Sequence, residues 1–247
     1  MAWQWFHRLG SPRWFYEKTG PWVFWLGLIS LLLLGIGSTW GLGFAPADRL
    51  QGNSYRIIYI HMPLALLSMA GYYIMAVSGA IGLIWKMKLS DMVMKCAAPI
   101  GAVLTFLALL TGAVWGKPTW GTWFEWRDPR IASTLLLFFL YLGVIALQAS
   151  YQNQQMADRF SAILSIVGTV NIPIIYGSVY WWNSLHQGAS IKLSGESSID
   201  SSMLYPLLVM IAGFYCFYAY ALLKSVRAEI LHREHRTQWV KALVAAS

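Results

Sequence analysis

The chain has 247 residues, of which 57% are hydrophobic and only 11% charged, with a formal net charge of +8. Soluble domains carry about 25% charged residues, so a water-soluble globular protein fits poorly, as do a disordered chain and a disulfide-stapled secreted domain. No Asp, Glu, Lys or Arg occurs in residues 19–47, 57–85, 96–116, 131–157, 160–191 or 201–223. Each block exceeds the roughly 20 apolar residues that a bilayer-crossing helix requires. The blocks are continuously apolar, not alternating, which favours helices over a barrel. The positive charge then reads as membrane topology and not as a nucleic-acid footprint.

The expected fold is an all-α integral membrane protein. Residues 1–247 form a single six-helix domain, with spans at about 22–40, 57–85, 94–115, 133–149, 160–182 and 203–223. Before the first span, basic residues precede an apolar stretch that ends in Ala45-Pro46-Ala47, which imitates a secretory signal. The stretch is longer than a signal core, and its removal would invert the remaining topology, so the first helix is expected to stay. The two cysteines, Cys96 and Cys216, each lie inside an apolar block with no CxxC or CxxCH spacing. They read as small core residues. The longest polar connection, about 187–202, is too short to fold alone.

Orientation follows the distribution of Lys and Arg. Arg8, Arg13, Lys18, Lys86, Lys88, Lys95, Arg159, Lys224, Arg227, Arg233, Arg236 and Lys241 fall on one side, and six others, Arg49, Arg56, Lys117, Arg127, Arg130 and Lys192, on the opposite side. The richer side is expected to be cytoplasmic and to hold both termini. His7, His232 and His235 lie in its basic flanks and read as solvated charge.

The outer side gathers unusual residues. After the third span the sequence runs Val114-Trp115-Gly116-Lys117-Pro118-Thr119-Trp120-Gly121-Thr122-Trp123-Phe124-Glu125-Trp126-Arg127-Asp128-Pro129-Arg130. If 120–126 were helical, Trp120, Trp123, Phe124 and Trp126 would share one face as an aromatic platform. An amphipathic helix resting on the membrane is the plain alternative. Trp22, Trp25, Trp40 and Trp85 fit an ordinary interfacial belt. His61 stands one turn into the second span, and His186 just beyond the fifth, at matching depth on the side of the tryptophan loop. An ionisable residue at a membrane segment suggests function by default.

Two imidazoles suit axial ligation of a haem iron. Tryptophan faces suit a porphyrin plane, and Arg56, Arg127, Arg130 or Lys117 would meet its propionates. A catalytic zinc site would need a third protein ligand, for which only Glu125 or Asp128 is near in sequence. Three rival classes remain: a small-solute or proton transporter subunit, a purely structural subunit and a membrane metalloenzyme. No nucleotide-binding or hydrolase motif is present.

These residues resemble the cytochrome c maturation protein C family of tryptophan-rich, haem-handling membrane proteins. The likeness covers most of the chain. It runs through Gly41-Leu42-Gly43-Phe44-Ala45-Pro46-Ala47-Asp48, Gln51-Gly52-Asn53-Ser54-Tyr55-Arg56-Ile57-Ile58-Tyr59-Ile60-His61, Trp115-Gly116-Lys117-Pro118 and Trp181-Trp182-Asn183-Ser184-Leu185-His186-Gln187-Gly188. The family pattern Trp-Gly-x-x-Trp-x-Trp-Asp is met by Trp120, Gly121 and Trp126, with Phe124 at the middle tryptophan beside Trp123. Arg127 occupies the aspartate position and Asp128 follows, as though one residue were inserted; a looped-out Arg127 would restore the register.

The resemblance implies a bacterial inner-membrane protein that holds haem b at its periplasmic face and passes it on during cytochrome c maturation. The receiver would be a membrane-anchored periplasmic haem chaperone. The membrane and ATPase subunits of an ABC transporter and a small single-span membrane protein would be partners. His61 and His186 would be the iron ligands, with Trp115, Trp120, Gly121, Trp123, Phe124, Trp126 and Asp128 around the haem and Arg56 or Arg130 at its propionates. Such a protein holds and transfers a cofactor and need not be an enzyme.

Overall fold

A computed structural model of the chain describes residues 10–186 and 199–245. His7, Arg8, Lys192 and Gln187-Gly188, which entered the sequence reading, lie outside the described residues. Helix starts are marked by side chains that accept otherwise orphaned backbone N–H groups. Ser11 caps α1 (Pro12–Ser38) by accepting from the Trp14 N–H. Asp128 accepts from Arg130 and Ile131 at the start of α4 (Pro129–Ser150), and Asn153 from Gln155 and Met156 at the start of α5 (Gln154–Gly168). Asp200 accepts from Ser202 at the start of α7 (Ser201–Arg233). Between these lie α2 (Ile58–Trp85), α3 (Lys88–Trp120) and α6 (Asn171–Trp181), with a short α8 (Gln238–Ala245) at the end. No extended strand occurs among the described residues; Asp48 and Gly52 form an isolated bridge.

Six helical segments are long and apolar enough to cross a membrane, the fifth being α5 and α6 together. Several run past the apolar blocks, because Lys, Arg, Glu and Gln are good helix formers even where the bilayer would exclude them. Hydropathy therefore marks the membrane and not the helix end. The fifth span differs from the continuous 160–182 helix expected: it breaks at Thr169–Val170. Thr169 turns its hydroxyl back onto the Ser165 carbonyl, a bond that competes with regular helix. The buried Asn171 donates to the Ser133 carbonyl of α4 at 2.9 Å and pins the break.

The helices α2 and α3 pack along their length, and α4 and α5 close the bundle against them. α1 leans on α7 and leaves Trp22, Phe24, Trp25 and Leu31 exposed, as a lipid-facing helix would. Tyr72, Met75, Met94, Leu137 and Tyr141 fill the centre. Tyr141 donates to the Ser68 carbonyl at 2.8 Å and lies where a Cβ on Gly101 would fall.

One end of the bundle is stapled by charge. Arg233 pairs with Asp158 at 2.7 Å and with Glu229 at 2.6 Å, and Lys95 reaches Glu229 at 2.7 Å. Gln148 and Gln154 also donate to Asp158. On the same side Tyr16 of α1 packs on Trp239 of α8 at 5.7 Å, bringing the first and last described helices together.

Candidate functional site

At the opposite end α3 continues to Trp120 and stops at Gly121, whose φ of +80° suits glycine and whose N–H bonds to the Lys117 carbonyl. Residues 121–128 are therefore loop and not the helical platform considered from sequence. The aromatic residues instead take different roles. Trp115 and Trp120, still on helix, together with Trp123 and Phe124, line a cavity of about 220 Å³ that also receives His61, His186 and Arg130. Trp126 is 73% exposed and packs on Phe124 with ring centroids 4.5 Å apart. Gly116 permits the fold-back, since a Cβ there would stand 3.1 Å from the Thr122 carbonyl oxygen.

His61 projects from the first turn of α2 and is held on three sides. Its Nδ1 lies 3.0 Å from the Thr111 hydroxyl oxygen. That hydroxyl donates its own proton to the Leu107 carbonyl at 2.7 Å, so it accepts from His61, which carries its proton on Nδ1 and its lone pair on Nε2. The Trp115 ring meets the imidazole edge-on at 5.6 Å. Trp115 is itself fixed by an indole N–H bond to the Gln51 side chain at 2.7 Å and by Tyr55 at 5.8 Å. Gly112 completes the cradle: a Cβ there would sit 3.0 Å from His61 Cε1.

His186 arrives from the segment after α6, through Asp128. One Asp128 oxygen accepts from the Ser184 hydroxyl and the Leu185 N–H, each at 2.8 Å. The other accepts from the Arg130 and Ile131 N–H groups and faces His186 Nδ1 at 3.5 Å. Burial opposes ionisation of Asp128, but the Ser184, Leu185 and Ile131 donors and the nearby His186 outweigh it and hold the carboxyl below its usual range. It is thus an anion at neutral pH. Nδ1 of His186 is buried with no closer hydrogen-bond partner, and the carboxylate favours the proton there. Burial, reinforced by the Arg130 charge and only partly offset by Asp128, draws the His186 pKa down to about 4. The ring is neutral at pH 7 and keeps its lone pair. Trp120 covers it at 4.8 Å.

The structure thus brings His61, His186, Trp115, Trp120, Trp123, Phe124 and Arg130 to one cavity. Asp128 stands behind it, and Gly121 ends the helix that bears it. Arg56 is not among the lining residues. Its guanidinium bonds the Leu42 carbonyl and donates to the Ala45 carbonyl at 2.7 Å, closing the π-helical turn Thr39–Phe44 after α1. Lys117 donates to the Gly121 carbonyl. Arg127 lies exposed in a turn closed by the Asp128 N–H on the Glu125 carbonyl. Thr111, Gly112 and Ser184 had no place in the sequence reading of the site; Thr111 is 50 residues from its histidine, and no short motif joins them.

The donor set fits haem: two neutral imidazoles with Nδ1 occupied or faced by an acceptor, aromatic walls and one cavity-lining guanidinium. It does not fit a protein-only metal centre, for among the described residues no three His, Cys, Asp or Glu side chains converge on one point. Fold and site together define a multi-pass helical membrane protein with a paired-histidine, tryptophan-walled cavity at one end. The family model of Heme exporter protein C matches residues 5–241. Heme exporter protein C of Escherichia coli (strain K12) is 48% identical over 242 residues, covering 98% of this chain and 97% of its own length. The Haemophilus influenzae protein of the same name is 45% identical, with 98% of each chain covered. That of Bradyrhizobium diazoefficiens is 44% identical, covering 93% of this chain and 86% of its own. The chain belongs to the Heme exporter protein C family.

Proposed function

We propose that this chain, whose family membership assigns it to haem handling in cytochrome c maturation, holds haem b between His61 and His186 at the periplasmic face. From there it would pass haem to a membrane-anchored haem chaperone. The observation that carries this reading is the pair of imidazoles opening on one cavity, each with Nδ1 directed at an acceptor of this chain and Nε2 left to bind. Bound haem would supply an iron that those nitrogens could ligate. Trp115, Trp120 and Phe124 would keep water from its faces, and Arg130 would meet a propionate.

The exposed Trp123 and Trp126 beside the cavity suit a site whose content must be reached by another protein. The cavity end is also the poorer in Lys and Arg, which favours the periplasmic side. The membrane and ATPase subunits of an ABC transporter and a small single-span protein complete the proposed assembly. A transporter of protons or small solutes would call for ionisable groups along a path; the charges at the far end, only Asp158 of them buried, instead pair with one another.

The test is complementation of a strain lacking this chain. Wild type restores c-type cytochromes and haem-loaded chaperone, whereas His61→Ala and His186→Ala, present at equal levels in the membrane, restore neither. Full maturation with both variants would contradict the proposal.

A further inference from the structure

The two imidazoles are backed by chemically different groups. Behind His61 stands a neutral hydroxyl, Thr111, whose proton is already given to the Leu107 carbonyl. Behind His186 stands an anion, Asp128, held in place by four donors from Ser184, Leu185, Arg130 and Ile131. A carboxylate facing Nδ1–H pushes electron density onto the ring and makes Nε2 the stronger ligand; a hydroxyl oxygen does so far less. The surroundings differ in the same sense. Asp128 ties the start of α4 to residues 184–185, so the His186 segment is fixed to the bundle from two directions. His61 has the Thr111 hydroxyl, the Ala108 backbone, the Trp115 edge and the space left by Gly112.

We propose that Thr111 and Asp128 are positioning residues that back the two haem-binding imidazoles unequally, a hydroxyl behind His61 and a carboxylate behind His186, so that His61 is the ligand released first. The inference rests on the haem-holding reading above and deepens it: departure of haem begins on the α2 side while His186 keeps its hold. Thr111 sets which nitrogen of His61 bears the proton and which way the ring turns. Without the hydroxyl, the ring keeps only the Ala108 backbone as a polar partner, and its orientation loosens.

Carbon monoxide, which takes one axial position of ferrous haem, reports which imidazole has left. The purified full-length protein in detergent is loaded with haem, reduced and mixed with carbon monoxide. The C–O stretch of the wild-type adduct should coincide with that of His61→Ala, in which only His186 can stand opposite the gas, and differ from that of His186→Ala. Thr111→Val, which keeps the shape and drops the hydroxyl, should speed carbon monoxide entry about tenfold, the lower end of outer-shell effects, without moving the stretch. Thr111→Ser should restore the wild-type rate. Asp128→Asn should shift the stretch. A wild-type stretch that matches His186→Ala, or an entry rate unmoved by Thr111→Val, would overturn the inference while leaving haem binding intact. Absence of a haem band in the wild type would overturn the haem-holding reading and the inference with it.

Discussion

The two ends of the bundle use polar side chains in opposite ways. At one end Arg233, Asp158, Glu229 and Lys95 satisfy one another within 2.6–2.7 Å. At the other, Thr111 and Asp128 each attend to one nitrogen of an imidazole and leave the second to the cavity. A closed network holds helices together; a half-satisfied one, walled by aromatic rings, is equipped to bind. Buried polar groups are therefore not equivalent evidence of function. What matters is whether the donors and acceptors are exhausted within the chain.

That contrast breaks most sharply at Arg233. Arg233→Ala leaves the buried Asp158 and the half-buried Glu229 without their shared partner, at a cost of about 3 kcal/mol, the lower end for a broken buried pair. Thermal unfolding in detergent should show a large loss of stability, while the protein that remains folded keeps a wild-type haem spectrum. Loss of the spectrum without loss of stability would unite the two ends and defeat the distinction. Gly112→Ala acts at the cavity end. Its Cβ would fall 3.0 Å from His61 Cε1, an overpacking worth about 1–3 kcal/mol. Its main reading should be optical, with haem retained but its axial coordination disturbed.

Arg56→Ala separates a residue near the site from one in it. It should cost about 1.5 kcal/mol, the lower end for hydrogen bonds to charged groups, because the guanidinium is partly exposed. Haem affinity should stay unchanged, because Arg56 caps the turn after α1 and does not line the cavity. A fall in affinity by titration at unchanged stability would restore Arg56 to the propionates. Arg127→Ala should be the mildest, within about 0.5 kcal/mol, since the residue lies exposed in its turn. A marked effect on isolated protein would contradict this exposed placement.

Much of this arrangement is legible in the sequence. The apolar blocks locate all six spans, and the depth of His61 and His186 beside the tryptophan loop brings them to one end. Helix ends are less legible, because capping by Asp128 or Asn153 and the positive φ of Gly121 act locally, whereas hydropathy averages over a span. The break at Thr169–Val170 escapes for the same reason, and its Asn171 bond to Ser133 joins residues 38 apart. The loop illustrates a different limit. A helical wheel over 120–126 gives a single aromatic face, yet Gly121 ends the helix first and sends Trp126 outward. The register of Asp128 depends on the turn that carries Arg127, and the Thr111 contact on the packing of α2 against α3. Neither leaves a mark in a short motif.

The central claim is that His61 and His186 hold haem together. Its most direct test is the optical spectrum of the purified, detergent-solubilised protein, oxidised and reduced, beside His61→Ala and His186→Ala. The account predicts a low-spin, six-coordinate haem in the wild type, and in each variant a changed spectrum with haem retention lower by at least about tenfold, in line with the cost of lost metal-site interactions. A wild-type haem band indifferent to both substitutions would contradict it.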